Sequence, residues 1–162
     1  MDIFKEKLKK AITTHFTQMK STYNDLYGYS LYTEDSLTSI GPVCNCDSNI
    51  TAPESDEMYA YYRYGAVEWE HFEDFGIFDD VNNELSSIMD CEHPKWSERR
   101  SSVLNACLDV LYDLEQDGLF GPKESNRFVV ICLSDSDDAI MDKSAKLLNS
   151  VDIYESYAKE FS

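Results

Sequence analysis

The stretch RFVVICLS, residues 127–134, is the clearest β-strand of the chain. Its apolar residues run almost without interruption from Phe128 to Leu133, which is typical of a strand covered on both faces of a sheet. We therefore predict a central strand here. The acidic residues DSDD that follow suit the positive end of a helix dipole, and they predict a helix over 137–149. The last segment, VDIYESYAKEF (151–161), predicts a closing helix.

A strand pair is predicted nearer the N-terminus. LYGYSLYT (26–33) is rich in aromatic residues and alternates between two faces, as a strand does. A turn at EDS leads to the returning strand LTSIGPVCNC (37–46), in which Gly-Pro indicates a bulge or an edge position. The polar residues 47–57 predict a loop. MYAYYRY (58–64) fits either a short third strand or the entry to a helix.

The N-terminal segment predicts a basic amphipathic helix. Five lysines lie in the first 20 positions against only Asp2 and Glu6, so the other residues carry nine basic groups against 29 acidic ones. Because of this asymmetry we expect the helix to pack on its own acidic body and not on a membrane. Its apolar stripe has the spacing of one helix face: Phe4, Leu8, Ile12, Phe16 and Met19.

A block of helices is predicted between the strand pair and residues 127–134. The pattern predicts helices over 65–76, 78–91 and 98–117, the last with Ser97 as N-cap and a stop after it at Gly118. The order of elements indicates a single α+β domain over 1–162. We expect a small, mainly antiparallel sheet, packed with an N-terminal helix, a central helical block and C-terminal helices.

The composition excludes some classes of function. The hydrophobic share of 43% and the aromatic share of 13% indicate a folded globule. A formal net charge of −17 repels nucleic acid and anionic membranes and attracts basic proteins. The cysteines are odd in number, five, and no secretory segment is predicted, so we expect reduced thiols in the cytoplasm.

Metal and cofactor sites are not expected from the motifs. Cys44 and Cys46 form a C-x-C, and Cys91 and His93 form a C-x-H, but paired zinc ligands are usually two to four residues apart. Glu68-x-x-His71 has the spacing of a di-iron ligand pair, yet the second copy that such bundles need is missing. Nucleophile motifs and glycine-rich phosphate loops are also absent from the sequence.

The segment RYGAVEWEHFEDFGIFDD, residues 63–80, mixes aromatic and acidic side chains without a lysine. One interpretation is an amphipathic helix whose Trp69 and Phe72 are core and whose acids are a solvated face. The other is a docking surface for a basic partner, since crowded like charges cost stability unless a partner uses them. The predicted partner-binding residues are Glu68, Trp69, Glu70, Glu73, Asp74, Asp79 and Asp80.

Several short motifs point to a family. They are YGYSLYT, YYRYGAVEWEH, LFG and SAKLLN, together with an R-[WY]-x-x-x-E-W pattern formed by Arg63, Tyr64, Glu68 and Trp69. In these motifs the chain resembles domain-of-unknown-function family 4303, an uncharacterised bacterial family. Its members are similar to small acidic proteins encoded beside bacterial toxins, which implies an immunity role and a basic toxin domain as partner. The resemblance brings no catalytic residue.

Two alternatives to the immunity role stay open at the level of sequence. The first is a small hydrolase-like enzyme with a carboxylate site near Arg63, Glu68 and His71. The second is an interaction module for another basic cellular protein. The oligomeric state is not specified by any of these patterns.

Overall fold

The computed structural model describes residues 1–89 and 94–161 and confirms the α+β class. A small three-stranded sheet is surrounded by helices. The described strands are β1 (Leu26–Thr33), β2 (Ile40–Cys46) and β3 (Phe128–Leu133), and the described helices are α1 (Asp2–Thr22), α2 (Tyr59–Tyr64), α3 (Asp79–Ile88), α4 (Trp96–Gln116), α5 (Ala139–Leu148) and α6 (Val151–Phe161).

The sheet is mixed and has the order β2-β1-β3. β1 pairs antiparallel with β2, to which a short connection joins it. It pairs parallel with β3, which the chain reaches only after a crossover that contains α2, α3 and α4. We expected a mainly antiparallel sheet, whereas the sheet has one antiparallel and one parallel pair of strands. The predicted strand at 127–134 is present, but it is an edge strand and β1 is central. β3 is apolar throughout because helices cover both of its faces.

Two hydrophobic clusters lie on opposite faces of the sheet. The first joins Tyr29 and Leu31 of β1 and alternate residues of β3 to α1, α3 and α4. The second joins Tyr27 and the other residues of β3 to α2, Trp69 and α6. Cys44 and Cys46 lie in the first cluster as small buried residues, in agreement with a C-x-C on a strand.

On each outer edge of the sheet, an asparagine side chain pairs with the backbone of one strand residue. On β2, the amide of Asn82 accepts from the Ile40 N–H (2.8 Å) and donates to the Ile40 carbonyl (3.1 Å). On β3, Asn149 does the same for Val129, with both hydrogen bonds at 2.8 Å. Pro42 has no N–H to offer on the β2 edge. Exposed strand edges invite pairing with other chains, and these contacts occupy part of each edge.

The N-terminal helix α1 packs on the body of the protein, as predicted. Phe4, Leu8 and Ile12 are fully buried. Three of its lysines form ion pairs with acids of α3, α4 and the residue after α4: Lys5 with Asp109, Lys7 with Glu84 and Lys9 with Asp117. Within the described residues, no helix combines the length and apolarity that a membrane span needs.

Several predicted boundaries need correction. β2 begins at Ile40 and not at 37. Of the two alternatives for residues 58–64, the helix is the one observed, as α2. The helix predicted over 98–117 begins at Trp96, so Ser97 lies inside its first turn instead of capping it. The helix predicted over 78–91 corresponds to α3, and its last two positions lie outside the described residues. The prediction of a helix over 65–76 is wrong, because these residues form no α-helix.

Candidate functional site

The backbone of residues 65–78, which we call the acidic segment, is mostly non-helical. After α2 it forms a single 3-10 turn over Ala66–Glu68 and then becomes extended at Trp69. His71 pairs with Cys44 of β2 through two backbone hydrogen bonds (2.9 and 3.2 Å). This isolated bridge fixes the segment along the outer edge of the sheet. Side chains therefore alternate between core and solvent here and do not share one helical face.

Trp69 is a core residue and not a partner-binding residue. It is 1% exposed, and its indole N–H donates to the Arg63 carbonyl at 3.2 Å. Its ring lies against Gly28 of β1, where a Cβ would come within 2.8 Å of the ring. The missing side chain at Gly28 therefore makes the room that Trp69 fills. Phe72, by contrast, is 49% exposed, so the expectation that it would join Trp69 in the core is wrong.

Glu68 and Glu70 are brought together at one small cavity of about 230 Å³. We call it the Glu68/Glu70 pocket. The remaining lining is uncharged and comes from the end of β2, the following loop and α2: Asn45, Asn49, Ile50, Thr51 and Tyr62. Both carboxylates are on exposed residues, so the pocket presents negative charge directly to solvent.

Hydrogen bonds order the walls of the Glu68/Glu70 pocket. The Tyr61 hydroxyl donates to Glu68 Oε1 at 2.8 Å. The Asn49 amide donates to Asn45 Oδ1 at 2.9 Å, and Asn45 in turn donates to the Tyr27 hydroxyl at 3.1 Å. Because these partners are fixed by the sheet and by α2, the pocket is formed in advance of any ligand.

The other predicted acids have separate surroundings. The Asp74 carboxylate accepts from the Gly76 N–H at 3.0 Å and holds the turn before α3. Asp79 and Asp80 lie in the first turn of α3, where a negative charge is favoured by the helix dipole. Asp80 also lines a groove beside α1. Glu73 is exposed. Of the seven predicted residues, Trp69 is buried, and Glu68 and Glu70 line a common cavity.

Arg63, which the enzyme alternative requires, is buried and committed to the fold. Its guanidinium donates to Asp47 Oδ1 (2.8 Å) and to the Asn126 carbonyl (3.1 Å). It also lies over the ring of Tyr27 at 4.1 Å from the ring centroid, a favourable cation–π geometry. These partners are different from those of Glu68. Arg63 and Glu68 thus form no shared carboxylate site.

His71 is paired with Cys46 instead of Glu68. Its Nε2 accepts from the Asn49 amide at 3.2 Å and lies 3.7 Å from Cys46 Sγ. Burial, together with the nearby Asp25 carboxylate, raises the pKa of the Cys46 thiol to about 11. A reactive cysteine needs the opposite shift, toward the thiolate. The contact therefore holds the acidic segment against β2 and gives no activated nucleophile.

Metal ligands are not assembled in the part of the chain that the structure covers. Among residues 1–89 and 94–161 taken together, no three histidine, cysteine, aspartate or glutamate side chains lie close enough to one another to hold a metal ion. The C-x-H of Cys91 and His93 lies outside the described residues.

Sequence reasoning missed the uncharged residues of the Glu68/Glu70 pocket. Asn45, Asn49 and Tyr62 come from two other segments, and only the folded sheet brings them beside the glutamates. One local signal was available. Trp69 and His71 alternate with Glu68 and Glu70, which is the period of an extended strand and not of a helix, and the backbone is extended at Trp69.

Comparisons with known proteins give one match. A family model described as a domain of unknown function (DUF4303) matches residues 8–150, most of the chain. Searches of the curated proteins and of the solved structures found no match. The resemblance inferred from the short motifs is thereby confirmed.

Proposed function

The chain belongs to the DUF4303 family, and from this premise we propose that it is a non-enzymatic acidic binding protein that neutralises a basic bacterial toxin domain. The observation that carries the proposal is the Glu68/Glu70 pocket. Two exposed carboxylates share a cavity whose other lining residues are uncharged. Such a cavity selects a cationic group.

The pocket fits the head group of an arginine or lysine from the partner. A carboxylate can accept two parallel hydrogen bonds from a guanidinium, and these charge-assisted bonds are among the strongest in proteins. Tyr62, 44% exposed at the same pocket, offers an aromatic face to the same cation. We expect one arginine of the partner to insert between Glu68 and Glu70.

Two exposed aromatic residues of the acidic segment, which lie outside the pocket lining, supply apolar contacts for the same partner. Phe72 packs edge-on against Tyr32, and Phe75 stacks on the ring of His15. Phe75 is 59% exposed. Its backbone has a positive φ of 55°, which is unfavourable for a residue with a side chain. Aromatic residues that become buried at an interface are among those that contribute most to binding energy.

The charge of the whole protein favours fast capture of a basic partner. A net charge of −17 steers a positively charged protein toward the surface and competes with nucleic acid for a phosphate-binding cleft. We place this encounter in the cytoplasm, in keeping with the free thiols of the four described cysteines. Nucleic acid and anionic membranes are not expected as partners of so acidic a chain.

The test uses a toxin encoded next to this protein, purified and titrated by calorimetry with native and variant protein. We expect the double variant E68Q/E70Q to bind at least about tenfold more weakly, because a hydrogen bond to a charged group contributes about 1.5–3 kcal/mol. The same variant should fail to restore growth of cells that produce the toxin.

The matched control is E124Q/E155Q, which removes the same number of charges at exposed positions outside the pocket. It should retain the native affinity. Equal losses in the two double variants would show that only total charge matters and would contradict the role of the pocket. Binding of a basic cellular protein that is not a toxin, weakened only by E68Q/E70Q, would support the pocket and overturn the immunity role.

A further inference from the structure

A second cavity lies at the carboxyl end of β3, on the face of the sheet covered by α6. Its volume is about 390 Å³, within the range of cavities that hold small organic ligands. It has no lining residue in common with the Glu68/Glu70 pocket. We call it the β3 cavity. In sheets with parallel strands, the carboxyl ends of the strands are where ligands usually bind.

About half of the accessible lining of the β3 cavity is apolar, and this part is held in place by the second hydrophobic cluster. Tyr157 is buried, stacks on Phe161 with ring centroids 5.1 Å apart, and packs on Phe128 at 5.4 Å. Tyr64 contacts the same Phe128 ring edge-on at 5.0 Å. Met141 of α5 adds a flexible thioether. The walls are therefore preformed and suited to an aromatic or aliphatic body.

The rim of the β3 cavity is acidic. It is formed by the loop between β3 and α5, in which Asp135 and Asp137 are exposed. Asp135 Oδ1 accepts from the Asp35 N–H at 2.8 Å, which ties this loop to the β1–β2 connection. None of the residues that line the cavity is a lysine or an arginine. The rim charge is therefore not neutralised within the lining itself.

An anionic ligand is disfavoured at this rim, although α5 begins nearby. The N-cap Asp138 accepts from the Ile140 N–H at 2.8 Å, so a protein carboxylate already occupies the start of the helix. Arg100 is likewise paired, with Asp35 and Asp138. The charge that the cavity offers a ligand is negative.

We propose that the β3 cavity binds a small organic cation of the arylalkylamine class. The ammonium lies at the rim beside Asp135 and Asp137, and the aromatic body lies against Tyr64, Tyr157 and Met141. Apolar burial supplies most of the binding energy, while the carboxylates and aromatic faces select for positive charge. The site is independent of the proposed partner surface, so either can fail without the other.

Three probes of nearly equal size and different charge test the proposal: 2-phenylethylammonium, 2-phenylethanol and 3-phenylpropanoate. They are titrated into the native protein and followed by amide NMR shifts. We expect the ammonium to bind about tenfold more tightly than the alcohol, the effect of one charge-assisted contact, and the carboxylate not to bind. The shifts should map to residues 64–67, 134–137 and 157–161.

Two variants test where the ammonium group and the aromatic part of the probe bind. Asp137→Asn should weaken the ammonium probe about five- to tenfold and leave the alcohol unchanged, since only a charge is removed. Val67→Trp, at a 40% exposed position of the lining, should fill the cavity and abolish binding of both. Glu155→Gln, an exposed acid outside the lining, is the control and should bind as the native protein does.

Equal affinity for the three probes, shifts confined to other parts of the surface, or identical behaviour of the Asp137 and Glu155 variants would each overturn the proposal. If the Val67 variant does not fold, the Asp137 variant still decides, because Asp137 is exposed and a single polar replacement there leaves the core intact.

Discussion

At the scale of single residues, His15 connects α1 to the acidic segment. It is fully buried, and its Nε2–H donates to the Glu73 carbonyl at 2.9 Å. Its Nδ1 has no hydrogen-bond partner among the described residues, and aromatic rings of Tyr29, Phe75 and Phe78 surround it. A protonated imidazole would carry a second N–H with no acceptor. The neutral form therefore belongs to the folded state.

His15 should make the stability of the protein depend on pH. Burial is the largest cause and lowers its pKa below the usual value of about 6.5, although Glu73 and Asp74 act in the opposite direction. The unfolded chain therefore takes up a proton before the folded chain does. The free energy of unfolding should be highest above pH 6.5 and should fall as the pH drops from there toward the lowered pKa. Urea denaturation at a series of pH values measures this.

The comparison variant is His15→Gln, which keeps an N–H donor for the Glu73 carbonyl and does not titrate. It should lose the decline that begins below pH 6.5 and keep the steeper one near pH 4, where the carboxylates titrate. The same pH dependence in native and variant protein would show that His15 is not the responsible group.

At the scale of elements, local patterns predicted most helices and strands, and tertiary contacts decided the rest. β1 was predicted with its observed bounds because its residues favour a strand, although it is buried on both faces and shows no alternation of buried and exposed positions. The order of the strands was not predictable, because pairing of β1 with β3 joins residues about 100 positions apart. The apolar run of β3 shows only that helices cover it, and this holds at an edge as well as at the centre.

The acidic segment shows most clearly why the site was only partly predictable. Aromatic residues at mixed spacing suggested a helix, but the backbone contact with Cys44 and the space above Gly28 hold Trp69 and His71 in an extended conformation. Both contacts come from distant parts of the chain. Glu68 and Glu70 were nevertheless predicted correctly as exposed acids, since charge alone keeps such residues at the surface.

The two asparagines at the sheet edges should contribute unequally to stability. Asn149 is buried, so Asn149→Ala leaves the N–H and carbonyl of Val129 without partners at a cost of about 1–3 kcal/mol for each group. Asn82 is half-buried, and water can replace part of its contact with Ile40 in Asn82→Ala. The midpoint of urea denaturation should fall further for Asn149→Ala. A loss for Asn82→Ala as large or larger would contradict this account.

At the scale of the whole molecule, ion pairs neutralise part of the negative charge, both around α1 and at Arg63, Arg100 and Arg127. Three lysines of α1 pair with acids of α3, α4 and the residue after α4, whereas the Glu68/Glu70 pocket and the β3 cavity have no basic residue in their lining. The total charge was evident from composition. Its division into paired charges and two open acidic cavities required the fold, since most of the ion pairs join residues far apart in the chain.

The last prediction concerns the three paired lysines of α1. The variant K5Q/K7Q/K9Q removes three ion pairs and increases the repulsion within an already acidic protein, so it should be less stable than the native protein at low salt. Exposed pairs contribute at most about 1 kcal/mol each, and salt screens them.

The control K10Q/K143Q/K159Q changes the net charge equally at lysines outside these pairs. Thermal unfolding at 20 mM and about 500 mM salt should show a larger loss for the paired lysines at low salt. That difference should become much smaller at high salt, because repulsion and pairing are both screened. Equal losses in the two triple variants at low salt would mean that α1 is held by its apolar stripe alone.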